Sequence, residues 1–217
     1  MPRPKVCLLD AYQTILYTDF APHAGELPRL AGVPAEELFA AWAQIAPLVT
    51  VGRNTVAQGF AEVLELCGVV PRPELTRELA AKSRELLLKA GRLYDDVLPF
   101  LRAARTRGVK VAIVSNCDEN TRDLLTELGV TALADALVLS CEVHAAKPSA
   151  KIYTAALRQL GARAADAVFV DDNARFCAAA QELGIGAVRI TREGEIKPVA
   201  DLTTVRTLAE AETLLWG

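Results

Sequence analysis

Five short apolar runs punctuate the chain, at residues 6–9, 109–114, 136–139, 167–170 and 186–190, each bounded by polar or turn-forming residues. Runs that are apolar throughout, with no alternation, suit strands covered on both faces, as in a parallel sheet. Between the later runs the apolar period lengthens to three and four residues, which predicts helices over 97–107, 119–128, 149–160 and 174–183. Gly108, Gly129, Gly161 and Gly184 follow just past their ends, where a left-handed residue closes a helix. Strands and helices in alternation predict a doubly wound, Rossmann-like α/β fold on a parallel sheet.

The first run breaks this rhythm, because nearly a hundred residues separate it from the second. The stretch from about residue 20 to residue 93 reads almost entirely helical: Leu38, Phe39, Trp42 and Ile45, then Phe60, Val63, Leu64 and Cys67, recur at helical steps. We read it as an inserted helical cap, with a core domain in residues 1–18 and 94–217 and the cap in 19–93. Tyr94, Asp95 and Asp96 form the return linker, and either aspartate is placed to cap the helix that starts at Val97. Residues 208–216 are read as a terminal helix packed on the core or as part of a homodimer contact.

Composition narrows the partners. Of 217 residues, 52% are hydrophobic and 24% charged, the balance of a folded globular protein. A net charge of −3 offers no long-range attraction for nucleic acid or an anionic membrane, which leaves a small molecule as the expected partner. The five cysteines are scattered, with no pair at zinc-ligand spacing, and read as reduced thiols of a cytoplasmic protein. The apolar run at 6–9, which follows Met1, Pro2, Arg3, Pro4 and Lys5, is too short for a signal segment or a membrane span.

In an open parallel sheet the ligand site lies beyond the carboxyl ends of the strands. The first strand ends in Asp10, followed by Ala11, Tyr12, Gln13 and Thr14. The second ends in Ser115 and Asn116, the loop after the third carries Lys147 and Pro148, and the fourth ends in Asp171, Asp172 and Asn173. Singly, each has an ordinary explanation as a loop or capping residue. Together, in this order and at one sheet edge, they supply a nucleophilic carboxylate, hydroxyl donors, a cation and an acidic metal site.

These four motifs resemble those of the haloacid dehalogenase superfamily, and the resemblance runs from Val6 to about Ile190. It implies a strand order of 5-4-1-2-3, with Asp10 and Asp171 on neighbouring strands. It also implies covalent catalysis, in which Asp10 attacks, Thr14 and Ser115 donate hydrogen bonds, and Lys147 steadies the nucleophile and the transferring group. In the superfamily's phosphatases Mg²⁺ would be held by Asp10, the Tyr12 carbonyl, Asp171 and Asp172, with the aspartyl-phosphate forming on Asp10.

Two departures matter. Tyr12 stands where most of these phosphatases carry a second aspartate that protonates the leaving alcohol, and Gln13 stands where a glycine is usual. A phenol is a poor acid–base group at neutral pH, so the resemblance implies a preference for good leaving groups such as acyl or aryl phosphates. The Asp-x-Tyr pattern is similar to that of the metal-independent 2-haloacid dehalogenases, and Tyr12, Asn116 and Asn173 are expected to face substrate, with Tyr153 also at a matching position. In that branch, however, a serine replaces Asp171 and a carboxylate replaces Phe176, and only Arg29 and Arg53 are available as halide-side cations. Two like charges about 4 Å apart repel by roughly 4 kcal/mol at an effective dielectric near 20, so clustering Asp10, Asp171 and Asp172 favours a cation and the phosphatase alternative. A phosphonate hydrolase would need a cap lysine, for which Lys82 and Lys89 are the candidates. A weakly active phosphometabolite-binding protein is the non-enzymatic alternative, and retention of Asp10 argues against it. His144 and Cys117 are read as an exposed loop histidine and a bystander thiol, and Tyr17 and Trp42 as packing or pocket residues.

Overall fold

A computed structural model describes residues 3–217, so the first two residues of the expected core segment lie outside the described residues. The chain opens with strand β1 (Val6–Leu9) and a short strand β2 (Leu16–Thr18). It then runs through four helices, α1 (Ala21–Ala31), α2 (Ala35–Thr50), α3 (Val56–Leu66) and α4 (Pro73–Ala90), and returns through β3 (Gly91–Leu93). Beyond this point strands and helices alternate: α5 (Val97–Thr106), β4 (Lys110–Ser115), α6 (Asn120–Glu127), β5 (Ala136–Leu139), a single turn α7 (Ser140–Val143), α8 (Ala150–Leu160), β6 (Ala167–Asp171), α9 (Ala174–Glu182), β7 (Gly186–Ile190), β8 (Thr203–Val205) and α10 (Leu208–Trp216).

The main sheet is parallel, in the order β5-β4-β1-β6-β7-β8. It differs in detail from the expected five-strand order 5-4-1-2-3, because a sixth strand, β8, lies outside β7. Thr203, Thr204 and Val205 are too few and too polar to register as an apolar run. Both faces of the sheet are covered, which is why its strands are apolar throughout. In β1, Cys7 and Leu9 face a core with Phe100 and Leu101 of α5, while Val6 and Leu8 face another with Ile152 and Tyr153 of α8. The four glycines read as helix stops all have positive φ, from 63° to 78°.

Register sets the site. Leu9 is level with Ile113 on one side and with Val170 on the other, so Asp10 leaves the sheet between Ser115 and Asp171. Helices α1–α4 enclose a core of their own, in which Leu38, Ile45, Phe60, Val63, Leu64 and Leu79 are buried. The helical reading of 20–93 fails only at its end: Leu16–Thr18 and Gly91–Leu93 form an antiparallel ribbon, with Leu16 opposite Leu93. Three-residue strands show no periodicity, and their partners lie more than seventy residues apart in the chain.

Asp96 is a second correction. Its backbone precedes α5, but its carboxylate makes no cap there. It accepts instead from the Leu208 amide at the start of α10, at 2.8 Å, and from Arg192 at 2.7 and 3.0 Å. Helix α10 packs on the core, burying Leu208, Ala211, Leu215 and Trp216, with the Trp216 ring 5.1 Å from that of Phe100. Among the described residues no helix is long and apolar enough to cross a membrane.

Candidate active site

Three strands deliver the central residues. Asp10 follows β1 and is 5% exposed, while Ser115 ends β4 and Asp171 ends β6, both fully buried. Lys147, 4% exposed, comes from the loop before α8 and places its ammonium between the carboxylates of Asp10 and Asp171, the latter at 2.7 Å. Burial works against the charge on Lys147, but Asp10 and Asp171 outweigh it and raise its pKa. The rings of Phe169 and Phe176 face the same ammonium, at 5.4 and 5.2 Å.

The acidic side exceeds what Lys147 neutralises. Asp10, Asp171 and Asp172 each offer a ligand atom, all within 4.8 Å of one another. Burial, then the neighbouring Asp10, pushes Asp171 up to about 7 and raises Asp172 as well. Asp171 Oδ1 also accepts from the Asn173 amide at 2.7 Å, which fixes the carboxylate and leaves lone pairs on both oxygens. The Tyr12 carbonyl, two residues after Asp10 in the chain, accepts no hydrogen bond among the described residues. Oxygen donors of this kind fit a hard divalent cation such as Mg²⁺.

Two hydroxyls belong to the same strand ends and loop. Thr14 Oγ1 and Ser115 Oγ are fully buried and have no hydrogen-bond partner among the described residues. Orphaned buried hydroxyls are uncommon and point to a missing acceptor. Thr14 sits in a tight loop in which the amides of Thr14, Ile15 and Leu16 all converge on the Ala11 carbonyl. Gln13, at φ 59°, takes a left-handed conformation in that loop, which explains why glycine is the usual residue there.

The three residues expected to face substrate have partners of their own. Both ends of the Asn116 amide group grip the Lys147 backbone, Nδ2 donating to its carbonyl at 2.9 Å and Oδ1 accepting from its amide at 2.7 Å. Asn116 thus positions Lys147. Asn173 is exposed and its Oδ1 caps α9 by accepting from Arg175. The Tyr12 hydroxyl pairs with Thr121 Oγ1 at 2.9 Å, and burial followed by the charge of Asp118 raises its pKa. Tyr153 donates to the Phe176 carbonyl, and burial followed by the charge of Asp171 raises its pKa, so it lies beside the carboxylates.

A cavity of about 730 Å³ opens beside these residues, between the sheet edge and helices α1–α4. Tyr12, Gln13, Asn116, Cys117 and Asp118 form its core side, and Trp42 lies in its opposite wall. Arg29 and Arg53 are exposed and outside its walls, and Lys82 and Lys89 are paired with Glu85. Tyr17 lies outside the cavity with its ring against Tyr94. His144 is exposed and bonds the Val51 carbonyl, and Ser140 donates to the Thr50 carbonyl, so the end of α2 is tied to the core beside the Cys117 loop.

Comparison with known proteins gives the family and the fold. The family model "haloacid dehalogenase-like hydrolase" matches residues 4–184. The chain belongs to this family. The haloacid dehalogenase-like hydrolase described here is 27% identical to Phosphatase MT3486 of Mycobacterium tuberculosis over 83% of its own length and 85% of that protein. It is 26% identical to (S)-2-haloacid dehalogenase 4A of Burkholderia cepacia over 88% and 84% of the two chains. The crystal structure of an HAD phosphatase from Thermococcus onnurineus superposes with a TM-score of 0.71 at 25% identity, covering 98% of each chain.

One contributor to this hydrolase site escapes a reading along the sequence. Arg192, after β7, donates twice to the Thr14 carbonyl, at 2.9 and 2.6 Å, and its guanidinium stacks 4.2 Å from the centre of the Tyr94 ring. No local pattern marks it, because its partners come from distant parts of the chain.

Proposed function

We propose that this hydrolase is a Mg²⁺-dependent phosphohydrolase that acts on a small phosphorylated compound through an aspartyl-phosphate on Asp10. The observation that carries the reading is the cluster of Asp10, Asp171 and Asp172 against the single ammonium of Lys147. Asp10, the Tyr12 carbonyl, Asp171 and Asp172 would hold the ion, which supplies charge neutralisation and polarisation of the phosphoryl group when bound. In the first step an Asp10 carboxylate oxygen bonds to phosphorus, and the bond from phosphorus to the leaving oxygen breaks, its electron pair departing with that oxygen. Thr14 and Ser115 donate hydrogen bonds to the phosphoryl oxygens, which explains their lack of protein partners, and Lys147 holds Asp10 oriented. Water then attacks phosphorus, the bond to Asp10 breaks, and inorganic phosphate leaves with the carboxylate restored. Tyr12 keeps its proton, so the leaving group departs without acid assistance and good leaving groups are favoured. The five free cysteines suit a cytoplasmic setting.

A metal-independent 2-haloacid dehalogenase is the second reading, favoured by the Asp-x-Tyr pattern at Tyr12 and by the similarity to (S)-2-haloacid dehalogenase 4A. It requires a cation on the halide side of the substrate, and neither Arg29 nor Arg53 lines the cavity. Calorimetric titration of metal-stripped protein with Mg²⁺ separates the two. Binding that Asp171→Asn weakens at least tenfold supports the phosphohydrolase, whereas no binding at millimolar Mg²⁺ together with halide release from 2-haloacids establishes the dehalogenase.

A further inference from the structure

The cavity lined on its core side by Tyr12, Gln13 and Asn116, neighbours in sequence of Asp10 and Ser115, has a chemistry of its own. Its wall on the helical side is built from Phe20, Leu27, Leu38, Trp42, Phe60 and Leu87, with Trp42 and Phe60 packed ring to ring at 4.8 Å. No lysine or arginine lines it. Asp118 is the one carboxylate in the lining, and His23, buried against the Ser83 carbonyl, is kept neutral by that burial. A second carboxylate or phosphate on the substrate would enter this space with no cation to meet it and with Asp118 to repel it, at a desolvation cost that nothing offsets. An apolar group would displace water from apolar walls. The volume, about 730 Å³, falls within the range of roughly 300–1,000 Å³ that encloses a drug-sized ligand.

We propose that this hydrolase selects phosphate monoesters whose organic part is a bulky, uncharged apolar group, aromatic or branched aliphatic, seated between α1–α4 and the loop after β4. The inference rests on the phosphoryl reading of the Asp10 site, because the cavity opens directly beside Tyr12, Gln13 and Asn116. Phosphate monoesters with carboxylate-bearing bodies are disfavoured by the same walls. Aryl phosphates satisfy this cavity and the leaving-group requirement together.

Non-hydrolysable phosphonates test the point apart from leaving-group chemistry. Calorimetry with saturating Mg²⁺ compares 1-naphthylmethylphosphonate, methylphosphonate and phosphonoacetate, with inorganic phosphate as the reference for the head-group site. The naphthyl compound is expected to bind at least tenfold more tightly than methylphosphonate, and phosphonoacetate no more tightly. Trp42→Ala is expected to cut the naphthyl preference at least threefold. Phe39→Arg, which adds a cation to the lining, is expected to shift preference toward phosphonoacetate. Inorganic phosphate binding with no naphthyl preference, or with phosphonoacetate bound best, overturns the inference and leaves the phosphoryl reading standing. Failure of inorganic phosphate and all three phosphonates to bind overturns both. The wild-type comparison decides the matter even if a variant does not fold.

Discussion

Tyr12 is the residue on which the chemistry turns. Its side chain is half-buried, desolvation and then the charge of Asp118 raise its pKa, and its hydroxyl is engaged with Thr121, so it holds its proton throughout the working pH range. For aryl phosphates whose leaving-group pKa spans about 4 to 10, log kcat/KM is expected to fall steeply as that pKa rises, and Tyr12→Phe is expected to keep the same slope. A slope that is shallow in the wild type and steepens in Tyr12→Phe would identify the phenol as the proton donor. His23 gives a second test at this scale. Burial lowers its pKa against the opposing pull of the Ser83 carbonyl, Asp19 and Glu26, so near pH 6 the unfolded chain binds more protons than the folded one. The stability this neutral histidine contributes is complete above the unfolded value of about 6.5 and is lost as pH falls below it toward the folded value. Thermal melts between pH 5 and pH 8 are expected to show this loss, and His23→Gln to flatten it. Asp10, Ser115, Lys147 and Asp171 were legible from sequence because each follows a strand at the edge where ligands bind. The grip of Asn116 on the Lys147 backbone was not, since it depends on a loop geometry that residue type leaves open.

At the scale of elements, the helical insertion is tied to the core at several points, among them Arg84 with Asp123, the Val56 amide with Glu119, and the end of α2. Gly52 sits there at φ 65°, and a β-carbon added to it would lie 1.9 Å from the Cys141 carbonyl oxygen. Only glycine tolerates both conditions. Gly52→Ala is expected to destabilise the protein by about 2–4 kcal/mol, combining a left-handed backbone cost with overpacking against rigid backbone. Urea denaturation measures it, and a loss below about 0.5 kcal/mol would mean that this junction adapts freely. Helices α5, α6, α8 and α9 were readable within a residue or so, because each shows a buried stripe closed by a glycine. The β2–β3 ribbon and β8 were not, because three residues carry too little periodicity and their pairing is decided by distant chain. The consequence is mechanical: both crossings from sheet to helical insertion run through one paired ribbon, so loop 10–16, which carries Thr14, is anchored to the return strand through Leu16 and Leu93.

Across the whole molecule, Arg192 joins segments that lie far apart in sequence. Its guanidinium binds the Thr14 carbonyl of the nucleophile loop and the Asp96 carboxylate of the return linker, and Asp96 in turn accepts from Leu208 at the start of α10. The side chains of Arg192 and Asp96 are 6% and 20% exposed, so removing either strands a largely buried charge. Such breaks cost on the order of 3–5 kcal/mol, well above the value of a surface ion pair. Arg192→Ala is expected at the lower end of that range, because Asp96 keeps the Leu208 amide. Arg192→Lys is expected to recover only part of the loss, since an ammonium cannot make the paired contacts with Asp96 and the Thr14 carbonyl at once. In a double-mutant cycle with Asp96→Asn, the coupling is expected to exceed about 1 kcal/mol, as for groups in one hydrogen-bonded network. Because Arg192 acts on Thr14 through its backbone and touches no reacting atom, its loss is expected to lower kcat for a good leaving group several-fold while altering Mg²⁺ affinity little. Coincident losses in kcat and Mg²⁺ affinity would show that the loop bearing Thr14 and the Tyr12 carbonyl moves as one body, and that Arg192 positions the metal side of the site as well.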